Sequence, residues 1–385
     1  MGLLTPAFSD YEIEAEASLK ALVAGEVGRF LELAPPYGGS LILRAPFALL
    51  SKLSGGGDLA LFRSIAIPCL LATAVLGVAL WARGQALGRS RAACWIVLLL
   101  CSANPLALRA LETGHAEELL VSTLCVGAML AAHARRPLLA GALVGLAVGA
   151  KPWALLAVAP VLIMLPAGHK RALLACGMAA AALLAPFLLA AGGAASEGAT
   201  IARTTGHVFQ PWQAWWFFGE HGELVTGFSG DKPGYRTPPD WIGLVARPLT
   251  VLVPLALCLL LAGRLRSRPW TDGLLLLALV LLLRCVLDPW NVAYYELSFV
   301  LALCAWELHA RRDLPVMSLT ATLLAWLTLV KLPLLIEPDL QALAFLAWSV
   351  PLTVLLTVRL AAPDRLRLPG RRAPAPAALA REPSL

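Results

Sequence analysis

Apolar runs close to the thickness of a bilayer recur along this chain, separated by short polar breaks. A span of about 20 apolar residues crosses the hydrocarbon core. Runs of that kind read as Ile65–Ala82, Ala92–Leu108, Leu119–Ala134, Ala172–Ala191, Ala246–Gly263, Trp270–Asp288, Leu297–His309, Leu314–Leu335 and Ala342–Leu360. The stretch Pro137–Leu165, interrupted by Lys151-Pro152, is too long for one crossing and short for two. It reads as two short helices or a re-entrant hairpin. The pattern predicts an all-α fold, a polytopic transmembrane bundle of about eleven membrane segments.

Composition agrees, with 59% hydrophobic and 14% charged residues. A soluble domain carries roughly 25% charged residues, so a water-soluble globule is excluded. All eight cysteines fall inside the apolar runs without metal or redox spacing, and they read as small packing residues.

Charge sets the orientation. Arg83/Arg89/Arg91, Arg135/Arg136, Lys170/Arg171, Arg264/Arg266/Arg268, Arg311/Arg312 and the tail from Arg359 to Arg381 occupy alternate connections. The positive-inside rule puts these in the cytoplasm. That side then holds 18 of 31 Lys/Arg and 5 of 24 Asp/Glu, a balance of +13, and leaves −6 elsewhere. The basic total therefore follows from topology and calls for no nucleic-acid partner. The expected order is an outer segment 1–64 with amphipathic helices, a first membrane part 65–191, and an outer loop 192–245. A second membrane part, 246–360, and a disordered cytoplasmic tail, 361–385, complete it. The tail's basic residues can rest on anionic membrane lipids. The localisation expected is the plasma membrane, multi-pass, with the working face outside. Met1 starts no signal peptide. An outer N-terminal segment then requires either unaided translocation or a membrane helix upstream of Met1, and the second is the expectation.

Four outer regions carry the polar chemistry. In the first, Glu12, Glu16 and Lys20 oppose Leu19, Leu22 and Val23 at helical spacing, which predicts an amphipathic helix along the membrane. Leu41–Leu53 reads as a second. In the next region Glu117 and Glu118 open a span, where carboxylates suit the helix dipole; with His115 they are also a possible divalent-metal set. The longest region holds Arg203, His207, Trp212, the run Trp215–Phe218, Arg236 and Trp241. Its aromatics fit either an interfacial belt or a platform for sugar rings. The last region ends a span at Arg284 and Asp288, four apart and able to pair, followed by Tyr294 and Tyr295. Lys151, deep in the chain's apolar part beside Pro152, is a functional candidate by its location alone.

Taken in order, these motifs resemble the polytopic GT-C glycosyltransferases, most of all the polyprenyl-phosphate-mannose-dependent enzymes of glycosyltransferase family 87. The resemblance runs over most of residues 8–300. It rests on Phe8-Ser9-Asp10-Tyr11, Ala24-Gly25, Tyr37-Gly38-Gly39 and Gly114-His115-Ala116-Glu117-Glu118. It continues with the Gly-rich helix from Gly141 that ends at Lys151-Pro152-Trp153, and with Asp288-Pro289-Trp290 through Tyr294-Tyr295. The family's first membrane helix is absent here, and the first loop has Asp-Tyr-Glu in place of a tight acidic pair. The resemblance implies an inverting transfer of mannose or another hexose from a polyprenyl-phosphate donor to a lipid or glycan acceptor outside the membrane. Asp10 is then the base, with Glu12 as second choice. Arg284, Lys151, His207, Arg203 and Arg236 are the cations for the leaving phosphate, and Asp288, Tyr294, Tyr295 and Trp212 belong to the substrate site. No cofactor is firmly implied. The alternative is a multi-pass transporter or flippase of an envelope precursor; a non-catalytic scaffold is the third class.

Overall fold

The computed structural model describes residues 10–35, 38–190, 209–221, 225–227, 230–232 and 234–362. Phe8, Ser9, Tyr37, Arg203, His207 and the tail from Pro363 lie outside the described residues. About 81% of the described residues are helical. Its two short antiparallel ribbons pair Glu220–His221 with Arg236–Thr237 and Val225–Gly227 with Gly230–Lys232.

The first helices are α1 (Asp10–Glu14), α2 (Glu16–Ala24), α3 (Val27–Leu33) and α4 (Gly39–Ala48). Then come α5 (Asp58–Ala86), α6 (Arg91–Ser102), α7 (Pro105–Glu112) and α8 (Glu117–His133). The glycine-rich α9 (Pro137–Ala150) is followed by α10 (Val158–Met164) and α11 (His169–Ala190). The remaining helices are α12 (Asp240–Leu265), α13 (Thr271–Leu287), α14 (Glu296–Ala310), α15 (Val316–Trp326) and α16 (Pro338–Ala361).

Every apolar run forms helix, with two refinements. The run from Ala92 bends where Asn104 caps α7 through Leu106 N and Pro105 takes the first helical position. There proline's missing N–H costs nothing. The run from Leu314 leaves α-geometry at Leu327–Lys331, a π-turn that ends in a 3₁₀ turn. Among the described residues, six stretches are long and apolar enough to cross a membrane: Asp58–Ala86, Arg91–Glu112, His169–Ala190, Asp240–Leu265, Val316–Leu334 and Pro338–Ala361. Together they define a multi-pass helical membrane protein.

The centre is built from shorter helices. Residues Glu296–Leu308 of α14 and nearly all of α13 are buried, and these two helices pack on each other. α8 lies against α14, α5 and α9. The long helices surround this core and keep wide apolar faces exposed, such as Leu189, Leu259 and Leu260. An apolar face turned outward on a membrane helix meets lipid, not water.

The break expected at Lys151-Pro152 is real. α9 stops at Ala150, Lys151 is extended, and a 3₁₀ turn (Pro152–Ala157) leads into α10. Pro152 favours the end of α9 there, because its ring disfavours the helical conformation of the residue before it. The glycines of α9 have a packing task. A Cβ at Gly141 or Gly145 would collide with the backbone of α11 at Ala172 or Cys176. At Gly39 of α4 it would stand 2.1 Å from the Gly149 carbonyl oxygen. That approach brings α4 against the broken end of α9.

The amphipathic segment is α1 and α2. It buries Tyr11, Leu19 and Ala21 in a second core with Phe30, Leu41, Phe62 and Phe187. Lys20 pairs with Glu16 and Asp58, which ties α2 to the start of α5.

Candidate functional site

Five separate elements converge on one polar cluster. α1 brings Asp10, whose backbone N–H donates to the Thr113 carbonyl at 3.3 Å. The α7–α8 turn brings His115; it is made by Gly114 at φ +90°, a conformation that favours glycine. α8 opens with Glu117 and Glu118, α4 brings Arg44, and the break after α9 brings Lys151.

Asp10 Oδ2 lies 2.7 Å from His115 Nε2, and His115 Nδ1 lies 3.0 Å from Glu117 Oε1. That same oxygen is 2.9 Å from Lys151 Nζ. The other Glu117 oxygen faces Arg44 Nη1 at 3.3 Å, and Arg44 is steadied by Ser40. Glu117 and Arg44 are buried, so each would be very costly without the other. His115 stands in the turn outside the spanning helices. Burial lowers its pKa and Lys151 pushes the same way, but the bonds to Asp10 and Glu117 outweigh both and raise it to about 9. At neutral pH it is an imidazolium shared between two carboxylates. Burial pushes the neighbouring Glu14 up.

Beside this cluster opens a cavity of about 420 Å³. Asp10, His115 and Lys151 line one part; Glu118, Trp153, Arg284, Asp288 and Tyr295 line another. The Arg284 guanidinium carbon sits 3.8 Å from the Tyr295 ring centre and 4.6 Å from that of Trp153. Arg284 is buried, and its Nη1 has no hydrogen-bond partner. Cation–π contacts with two rings fix the plane of the guanidinium while leaving N–H groups available. The Tyr294 ring lies against His115, with ring centres 4.6 Å apart and planes tilted by 35°.

Next to the cavity lies an apolar groove of about 540 Å³. Both are lined by Leu155, Leu156 and Val251. Along α12 the groove follows Val251, Pro254, Leu255, Cys258, Leu259 and Ala262, one helical stripe about 22 Å long by the rise of a helix, to Arg266 and His169 at the far end.

Several expected site residues thus meet: Asp10, Lys151, Arg284, Asp288, Tyr294 and Tyr295. Others do not. Glu12 is exposed and lines no part of the cavity. Arg236 is committed to Asp339 through Nε and Nη2 at 2.8 and 2.7 Å, in the aromatic cluster of Phe209, Trp216 and Tyr235. Trp212 is buried, and its carbonyl accepts from Asn291. Arg284 and Asp288 share a helix face but do not pair, because Asp288 leaves the helix and caps the Trp290 N–H at 2.9 Å. The possible metal set of His115, Glu117 and Glu118 fails on geometry: both His115 nitrogens face carboxylates and Glu117 is held by two cations. Among the described residues no group of three His, Cys, Asp or Glu is placed to hold a metal.

Sequence reasoning missed Arg44, Ser40, Glu14 and Trp153. Arg44 left a signal, a lone charge in the apolar run Leu41–Leu50. Trp153 left little, since a tryptophan in a membrane segment is ordinary.

Fold and site together define a multi-pass helical membrane protein with a charged cavity adjoining an apolar groove. No protein-family profile, curated protein or solved structure matches the chain.

Proposed function

We propose that this protein is an integral membrane glycosyltransferase of GT-C type, moving a hexose from a polyprenyl-phosphate carrier to an acceptor on the outer face of the membrane. The observation that carries this reading is that the charged cavity adjoins the apolar groove through the shared wall of Leu155, Leu156 and Val251. Such a site suits a ligand that is hydrophilic and anionic at one end and a long hydrocarbon at the other. The cavity wall holds four carboxyl residues (Asp10, Glu14, Glu118, Asp288) and four basic ones (His115, Lys151, Arg247, Arg284). A plain anion has no use for so many acceptors, whereas a sugar phosphate uses both kinds.

In the reaction, the acceptor hydroxyl oxygen bonds to the anomeric carbon from the side opposite the phosphate. Asp10 takes the hydroxyl proton, and the bond from the anomeric carbon to the phosphate oxygen breaks. The electron pair leaves on the lipid phosphate, whose charge grows by one. Arg284 and Lys151 stand where that charge develops, both largely buried, where fixed cations act strongly. His115 orients the Asp10 carboxylate through Oδ2 and leaves the other oxygen for the proton. The groove takes the first isoprenoid units, and the outer water admits the acceptor.

The second reading, a transporter of a lipid-linked precursor, draws on the broken helix at Lys151 with buried charge around it. Purified protein reconstituted in sealed vesicles with a radiolabelled polyprenyl-phosphate hexose separates the two. Transfer of label to an acceptor, with release of polyprenyl phosphate, is the expected result. Label that crosses a vesicle bilayer unchanged, with no product, would reject the transferase.

A further inference from the structure

Glu118 is a buried carboxylate for which the reaction above has no task. It is the second residue of α8, 1% exposed, and its Oε1 accepts from Trp153 Nε1 at 3.3 Å. Its Oε2 has no donor, although Glu118 lines the cavity. A buried acceptor left empty is costly, and more so when it is ionised. Its charge helps to balance the nearby Arg284 and Lys151, yet that long-range balance leaves Oε2 without a hydrogen-bond donor.

The surroundings name its ligand. Trp153 touches both Glu118 and Arg284, through its N–H and its ring face respectively. The carboxylate and the guanidinium are thus presented to the cavity by one indole, each with an unsatisfied polar atom. Beside the cation that holds phosphate stands a fixed acceptor with open lone pairs, and flat aromatic walls flank both. Water-rich anions need no acceptor, and a hydrocarbon needs neither group. Neighbouring hydroxyls on a pyranose ring present two O–H donors that a single carboxylate can take together.

We infer that Glu118 reads the sugar of the donor, accepting hydrogen bonds from two adjacent ring hydroxyls while Arg284 holds the phosphate. This rests on the glycosyl-carrier reading and adds to it a specificity-determining residue. Trp153 is its positioning residue. A site of this kind rejects donors that lack the paired hydroxyls, because the buried carboxylate would then be left with no partner.

The test compares binding of a polyprenyl-phosphate hexose with binding of bare polyprenyl phosphate, for wild type and Glu118→Gln in nanodiscs. The hexose should tighten wild-type binding roughly 10- to 100-fold over the bare carrier, the range of one or two hydrogen bonds to a charged group. Glu118→Gln should lose most of that increment. Single deoxygenation of the hexose, one ring position at a time, should weaken wild-type binding at two adjacent positions and scarcely affect the variant, the non-additivity expected of direct contact. These wild-type measurements do not depend on how the variant folds. An unchanged sugar increment in Glu118→Gln, or equal sensitivity of both proteins to deoxygenation, would overturn the role of Glu118 while leaving the carrier site intact. Failure of wild type to bind the bare carrier at all would overturn the carrier site, and this inference with it.

Discussion

Asp10 and His115 lie 105 positions apart in the chain, yet Asp10 Oδ2 and His115 Nε2 stand 2.7 Å apart. The contact joins the first described helix to the turn that opens α8, and it gives the candidate base a charged partner. His115 in turn bonds Glu117, so one imidazolium carries the electrostatics of two carboxylates.

The first prediction concerns pH. The folded pKa of His115, about 9, lies above its ordinary value of 6.5. Its contribution to stability is therefore complete below about pH 6.5 and is lost as pH rises through about 9. The shift sets a ceiling of about 3 kcal/mol, and the true figure is lower because Asp10 is half exposed. Thermal unfolding in detergent should show stability falling between pH 6.5 and 9.5. His115→Gln should flatten that slope; an identical slope in the variant would remove His115 as its source.

Asp10→Asn should leave insertion and abundance near normal and slow transfer by roughly 10²–10⁴-fold, as expected for loss of a general base. Glu12→Gln should stay within about twofold of wild type, since Glu12 is exposed and outside the cavity. Radiolabelled transfer measured on both variants decides. Full activity in Asp10→Asn would take this carboxylate out of the mechanism.

Arg284 is clamped between Tyr295 and Trp153. Arg284→Ala should abolish transfer, and Arg284→Lys should keep a small fraction. Lysine restores the charge but not the planar fork that stacks on rings and holds phosphate in two places. Equal activity of the lysine variant and wild type would show that charge alone suffices.

Helix packing gives a prediction independent of function. Gly145→Val forces its side chain into the Cys176 carbonyl, where even a Cβ would stand 2.3 Å away. It should cost about 1–3 kcal/mol or more of stability. Gly177→Ala, on α11 with nothing within 4 Å of its added Cβ, should be neutral or stabilising. Melting temperatures of the two purified variants in one detergent give the comparison, and similar losses in both would contradict the packing.

Orientation is tested by single cysteines at Glu32 and Ser267, both exposed, in a background without reactive native thiols. By the alternation of Lys and Arg, Glu32→Cys should react with an impermeant reagent on intact cells. Ser267→Cys should react only after permeabilisation. The reverse pattern would invert the proposed topology and place Asp10 in the cytoplasm.

The sequence by itself determined the helical membrane class, the interruption at Lys151-Pro152 and the polar residues worth suspecting. These follow from local physics: a continuous apolar run favours a buried helix wherever it packs, and a proline disfavours the helical conformation of the residue before it. Tertiary structure decided which suspects meet. Asp10, Arg44, His115, Glu117 and Lys151 come from elements whose mutual placement depends on backbone approaches such as Gly39 to Gly149, and no local pattern encodes those distances. Equally, the four-residue spacing of Arg284 and Asp288 promised a pair, but the helix ends at Leu287 and the aspartate turns to cap Trp290. Arg284 is left to two aromatic rings, Tyr295 from the next turn of the chain and Trp153 from a distant element. Spacing fixes what shares a helix face; only packing fixes what that face meets.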